Sequence, residues 1–153
     1  MFHIYTDGAC RDNQSAENRK AAWAFVVFTE GMERKGSKSA YLGNATNNEA
    51  ELTAVLEALK WLKGRPAVIY TDSQYAFMGL TQWIHGWKAR GWRTSSKEEV
   101  KNLELWKKLD LLFDREVHTM VKVKGHSGDV GNAAVDALCN VVIDENNPPE
   151  WMR

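Results

Sequence analysis

The chain has 153 residues, 44% of them hydrophobic, which suits one domain with a real core and leaves little for a second. Its formal charge is zero, so a uniformly basic, polyanion-coating surface is excluded. The balance is uneven, however, because Trp83 to Lys108 holds seven basic and three acidic residues and the rest of the chain is correspondingly acidic.

In chain order, Phe2 to Asp7, Ala21 to Thr29 and Glu33 to Tyr41 have the β-branched and aromatic content of strands, the last two joined by a Glu30-Gly31 turn. A helix is predicted from about Asn47 to Lys63, with Leu52, Val55, Leu56, Leu59 and Leu62 as its apolar stripe and Gly64 and Pro66 ending it. A strand over Ala67 to Thr71 follows, then helices over 73–88 and 100–114, separated by the basic stretch Lys88 to Lys97. A strand over His118 to Val123 and a helix from about Asn132 complete a βββαβααβα order, which suits a mixed sheet with helices on its faces. The segment Asp144 to Arg153 reads as a polar, Pro-containing tail rather than helix, with Trp151 able to pack back. Residues 1–143 are therefore expected to form a single folded domain and 144–153 the tail.

The tetrapeptide Ile-Tyr-Thr-Asp occurs twice, as Ile4–Asp7 and Ile69–Asp72, each time closing a strand. If those strands are parallel neighbours, Asp7 and Asp72 become adjacent. Two carboxylates held that close need a shared proton or a cation, so a divalent metal is expected. Glu51 falls on the buried side of its helix, within about 20° of Ala58 and Leu62 at 100° per residue. Helix-start electrostatics is already served by Thr46 and Glu49, which resemble a capping box, and this leaves Glu51 for another purpose. Near the C-terminus, His126 sits in a loop with Gly125, Gly128 and Gly131, directly after a strand, and Asp136 follows in the first part of the last helix. Taken alone, Asp136 reads as a helix-start acid. The two cysteines, Cys10 and Cys139, lie far apart and read as free thiols of a reducing compartment. No long apolar stretch is present, so a soluble, cytoplasmic protein without membrane contact is expected.

Tyr5-Thr6-Asp7-Gly8, Thr46-Asn47-Asn48-Glu49-Ala50-Glu51-Leu52, Tyr70-Thr71-Asp72-Ser73 and Gly125-His126-Ser127-Gly128 with Gly131-Asn132 and Asp136 together resemble type 1 ribonuclease H over roughly residues 2 to 143. The stretch Thr81 to Trp92 is similar to that family's basic protrusion. The resemblance implies an α/β, ribonuclease H-like fold, a five-stranded mixed β-sheet flanked by α-helices. It also implies an endonuclease hydrolysing the RNA strand of RNA/DNA hybrids with two Mg²⁺ ions, Mn²⁺ being a second option. Asp7 would bridge the ions, Glu51 and Asp72 would complete one site and Asp136 the other, with His126 assisting proton transfer or product departure. Oxygen ligands alone favour Mg²⁺ or Mn²⁺ over Zn²⁺. Cys10, Asn47, Asn48 and Gln74 would lie along the minor groove, Thr46 and Asn102 would hold a DNA-strand phosphate, and Tyr75, Trp83 and Trp87 would line a DNA channel. The Arg11 to Lys20 loop departs from the pattern: it has neither Gly nor Pro, and no role is carried over to Asn13. The partner implied is an RNA/DNA hybrid, acted on by a monomer with no protein partner. Competing readings are a hybrid-binding module with weak or lost catalysis and a related metal-dependent nuclease of the same fold.

Overall fold

The computed structural model describes residues 1–124 and 129–146. His126 and Trp151 lie outside these residues. The sheet contains β1 (Phe2–Arg11), β2 (Lys20–Phe28), β3 (Arg34–Gly43), β4 (Ala67–Thr71) and β5 (His118–Lys122), in the order β3-β2-β1-β4-β5. β1, β2 and β3 form an antiparallel meander, whereas β1–β4 and β4–β5 pair in parallel. The five-stranded mixed sheet expected from the sequence is thus observed.

Period-two alternation divides the strand side chains between two helical layers. Ile4, Phe25, Val27 and Ile69 pack with the Leu52–Leu62 stripe of α1 (Asn47–Leu62). Tyr5, Ala24, Val26 and Phe28 pack with Val135 and Cys139 of α5 (Val130–Asn146) on the other face. β2 is buried on both faces, which is why its Ala21–Phe28 run is continuously apolar rather than alternating. α1 begins with the expected capping box: Glu49 N–H donates to the Thr46 hydroxyl at 3.1 Å, and Thr46 N–H donates to the Glu49 carboxylate at 3.1 Å.

The elements differ most from the sequence reading in three places. β1 does not end at Asp7 but runs on to Arg11, because β2 continues to pair with it as far as Lys20. The helix expected over 73–88 is α2 (Gln74–Met78), a π-helical turn over Gly79–Trp83, and α3 (Ile84–Ala89). Gly79 faces the indole of Trp106 on α4 (Leu103–Leu112), and a Cβ there would lie 2.0 Å from that ring. α5 extends through Asp144 to Asn146, so the helix crosses the boundary expected at 143. The extension is held from outside, by an ion pair between Arg11 and Asp144, and from within, by Asn146 Nδ2 donating to the Val142 carbonyl at 2.8 Å.

Candidate active site

The duplicated tetrapeptide pairs with itself. In the parallel β1–β4 ladder, Ile4 lies opposite Ile69 and Tyr5 opposite Tyr70, with their rings stacked at 4.2 Å, and the Thr6 hydroxyl donates to the Tyr70 carbonyl at 3.0 Å. Asp7 and Asp72 therefore leave the end of the parallel ladder at equivalent positions. Glu51 reaches them from α1 because Gly8 has no side chain: a Cβ on Gly8 would sit 2.3 Å from the Ala50 carbonyl carbon and the Glu51 nitrogen. On the other face, Gly131 plays the same part for α5, with the Tyr5 ring 2.4 Å from where its Cβ would be. Gly8 sits in a strand, where an isolated glycine marks such a close approach, whereas Gly131 lies in the first turn of α5.

Asp7, Glu51 and Asp72 each offer a ligand oxygen within 4.8 Å of the others. Asp136, half-buried on α5, lines the same cavity of about 600 Å³ and lies outside this tightest set of three. Asn47, Asn48, Gln74, Tyr75 and Cys10 also line it, and among the described residues none that lines it is cationic. Burial, then the charges of Asp72 and Asp136, push the Asp7 carboxyl up to about 8. Burial, then the charges of Asp7 and Asp72, hold Glu51 well above the usual carboxylate range. One oxygen of Glu51, Oε2, is buried without a hydrogen-bond partner. A buried oxygen without a donor, among crowded acids and with no cation among the cavity-lining residues, fits a divalent metal held by hard ligands.

Most residues expected to bind substrate gather beside this cavity. Asn102 Nδ2 and Trp106 Nε1 both donate to the Tyr75 hydroxyl, at 3.0 and 3.2 Å. Tyr75, Trp83, Trp87 and Trp106 form a chain of ring contacts 5.2 to 6.1 Å apart, in which Trp106 is buried and Trp83 is 40% exposed. The sequence reading missed Trp106, whose burial on α4 follows from its position opposite Gly79. Thr46 and Asn102 line a second cavity of about 470 Å³, which shares Asn47 and Asn48 with the first. Within the basic protrusion, Lys88 is less free than its sequence suggests, for its ammonium pairs with Asp110 at 3.1 Å. Both cysteines are free: Cys10 donates to the Ala45 carbonyl at 3.3 Å, and Cys139, whose thiol burial pushes up, donates to the Asp7 carbonyl at 3.3 Å. Among the described residues no helix is long and apolar enough to cross a membrane.

The family model for RNase H matches residues 1–143. The chain is similar to the ribonuclease H of Verminephrobacter eiseniae, 46% identical over 95% of this chain and 92% of that protein. It is likewise similar to the ribonuclease H of Paracidovorax citrulli, 48% identical over 93% of each. Among solved structures, the PFV RNase H domain superposes with a TM-score of 0.77 at 28% identity, covering 92% of this chain and 93% of that one. LC11-RNase H1, solved in complex with an RNA/DNA hybrid, shares the fold with a TM-score of 0.71 at 22% identity, covering 95% and 99%. With a family model spanning nearly the whole sequence and close relatives of matching length, the chain belongs to the RNase H family.

Proposed function

We propose that this RNase H family endonuclease, which hydrolyses the RNA strand of RNA/DNA hybrids, does so with two Mg²⁺ ions held by Asp7, Glu51, Asp72 and Asp136. The observation that carries the reading is the convergence of Asp7, Glu51 and Asp72 within 4.8 Å in a cavity also lined by Asp136 and, among the described residues, by no cation. When bound, the ions supply an activated water and stabilise the leaving 3′ oxygen. Asp7 is central, because its carboxyl feels Glu51, Asp72 and Asp136 at once, and it is assigned to bridge. Asn47, Asn48 and Gln74 present exposed amides at the mouth of the acidic cavity, where they suit reading of a 2′-hydroxyl, with Cys10 beside them. Thr46 and Asn102 are assigned to a DNA-strand phosphate, and Tyr75, Trp83 and Trp87 to the deoxyribose faces. His126, on sequence grounds, is assigned to proton transfer or product departure. The same reading places the protein in the cytoplasm as a monomer, the two free thiols supporting a reducing compartment.

The test is incubation with labelled RNA/DNA hybrid, duplex RNA, duplex DNA and single-stranded RNA, with Mg²⁺, Mn²⁺ or EDTA. Cleavage confined to the RNA of the hybrid and dependent on metal is expected; equal cleavage of duplex RNA or of single-stranded RNA would overturn the reading.

Within the protrusion, Arg90 and Arg93 are exposed and form no ion pair among the described residues, whereas Lys88 is paired. Neutralising Arg90 and Arg93 is therefore expected to raise KM and to flatten the plot of log affinity against log salt by roughly 0.7 to 0.9 per lost contact, with Lys88 adding less. Trp83→Ala with Trp87→Ala should weaken binding without changing that slope, since ring contacts release no counterions. Hybrid affinity measured in Ca²⁺ across a salt series separates the two cases. An unchanged slope in the charge variant would make the protrusion a solvated face.

A further inference from the structure

The Arg11–Lys20 loop is the segment in which this chain departs from the family pattern, and it is built rather than loose. Ser15 N–H donates to the Asp12 carbonyl at 2.9 Å, and Lys20 pairs with Asp12 at 2.7 Å. Asn44 bridges the loop from β3's end, accepting from Arg19 N–H at 3.1 Å and donating to the Ala16 carbonyl at 3.1 Å. Asn13 ties the loop to the first residue of α1, its side chain accepting from Asn47 N–H at 3.0 Å. Its carbonyl also accepts from Arg19 Nε at 3.0 Å. The guanidinium of Arg19 is thereby fixed through one nitrogen, and among the described residues Arg19 forms no ion pair.

Arg19 lines the cavity of about 470 Å³ that also takes in Lys101, Thr46 and Asn102. Its lining includes two cations and no acid, the reverse of the carboxylate cavity with which it shares Asn47 and Asn48. The two cavities differ in what they can hold. A phosphate enters the acidic one only with metal, so that place belongs to the strand being cut. The opposite strand, for which no metal is available, needs cations and neutral donors. A planar guanidinium braced at Nε leaves its terminal amino groups to grip phosphate oxygens in a fork.

We propose that Arg19, held by Asn13 and Asn44, is a phosphate-binding residue for the DNA strand, acting with Lys101, Thr46 and Asn102, and that positioning it is the function of the Arg11–Lys20 loop. The proposal rests on the hybrid-cleavage reading given above.

The experiment uses the whole chain and hybrids whose DNA strand carries one neutral methylphosphonate at successive positions, with affinity read in Ca²⁺ and turnover in Mg²⁺. For the parent protein, one DNA-strand position should weaken binding about tenfold, while the unmodified hybrid is bound and cut normally. Arg19→Gln should raise KM about tenfold on the unmodified hybrid with kcat unchanged, reduce the salt slope by roughly 0.7 to 0.9, and lose nothing further at the sensitive position. Arg19→Lys should restore the slope and only part of the affinity, because the charge returns without the fork. Sensitivity confined to methylphosphonates in the RNA strand, insensitivity at every DNA-strand position, or additive losses in Arg19→Gln would each overturn the proposal. The scan on the parent protein does not depend on how any variant folds. If the parent failed to cut any hybrid, the function reading itself would fall; if the parent cut normally and Arg19→Gln matched it, only the role of Arg19 would.

Discussion

Asp7→Asn is expected to abolish cleavage and, in the absence of metal, to make the protein more stable at pH 8 than the parent. Burial and the charges of Asp72 and Asp136 raise the Asp7 carboxyl to about 8 in the folded chain, against about 3.9 when unfolded. The folded state therefore binds this proton more tightly, and its contribution to stability is full below about pH 4 and is lost as pH rises towards 8. Asparagine has no charge to lose, so the variant should gain on the parent progressively across that window. At roughly 2–4 °C per kcal/mol for a chain of this size, a gap of several degrees is expected at pH 8 and none near pH 4. Thermal unfolding in EDTA from pH 4 to 8 checks it, and added Mg²⁺ should stabilise the parent more than the variant. A variant less stable than the parent at pH 8 would reveal a structural partner for Asp7, and near-normal turnover would remove Asp7 from the metal site.

Gly8→Ala carries the largest expected structural cost. The added methyl would lie 2.3 Å from the Ala50 carbonyl carbon and from the Glu51 nitrogen, atoms of a helix backbone that no rotamer change can move. β1 and α1 must separate by about an ångström, and overpacking of this kind costs about 3 kcal/mol or more when backbone is the obstacle. Glu51 travels with its own backbone away from Asp7, so turnover should drop as well, by on the order of a hundredfold for a displacement of that size. Urea unfolding together with kcat at saturating Mg²⁺ tests both parts. An unchanged midpoint and an unchanged kcat would mean that the two elements have slack between them.

Much of this architecture is legible in the sequence because its signals are local. The Ile-Tyr-Thr-Asp copies name both strands of the central parallel pair, and the stripe of α1 isolates Glu51 as an acid on a buried face that the structure indeed buries. Thr46 and Glu49 announce their capping box three residues apart in the chain. What escaped depends on pairs distant in sequence. Lys88 meets Asp110, Gly79 meets Trp106 and Arg11 meets Asp144 only after the chain has folded, so no window of sequence shows the paired lysine, the π-helical turn or the continuation of α5. Gly8 stands between the two cases: a glycine in a strand advertises a close approach without saying to what. Asn13 and Arg19 gave no signal, because a polar loop without Gly or Pro has no periodicity to read.

The in-register pairing of the two tetrapeptides also bears on how the enzyme fails when heated. Its acids are carried by the interior of the molecule: β1 is flanked by β2 and β4, Ile4 and Ile69 are wholly buried, and the strand is clamped between α1 and α5. Amides in such a segment open only with the whole domain, whereas the edge strand β3 and the polar loop before β2 open at lower free energy. Fraying at the rim would weaken the grip on a hybrid while leaving the spacing of Asp7, Glu51 and Asp72 intact. On warming, KM should therefore drift upward first, and kcat should persist until the cooperative melt of the domain removes it at once.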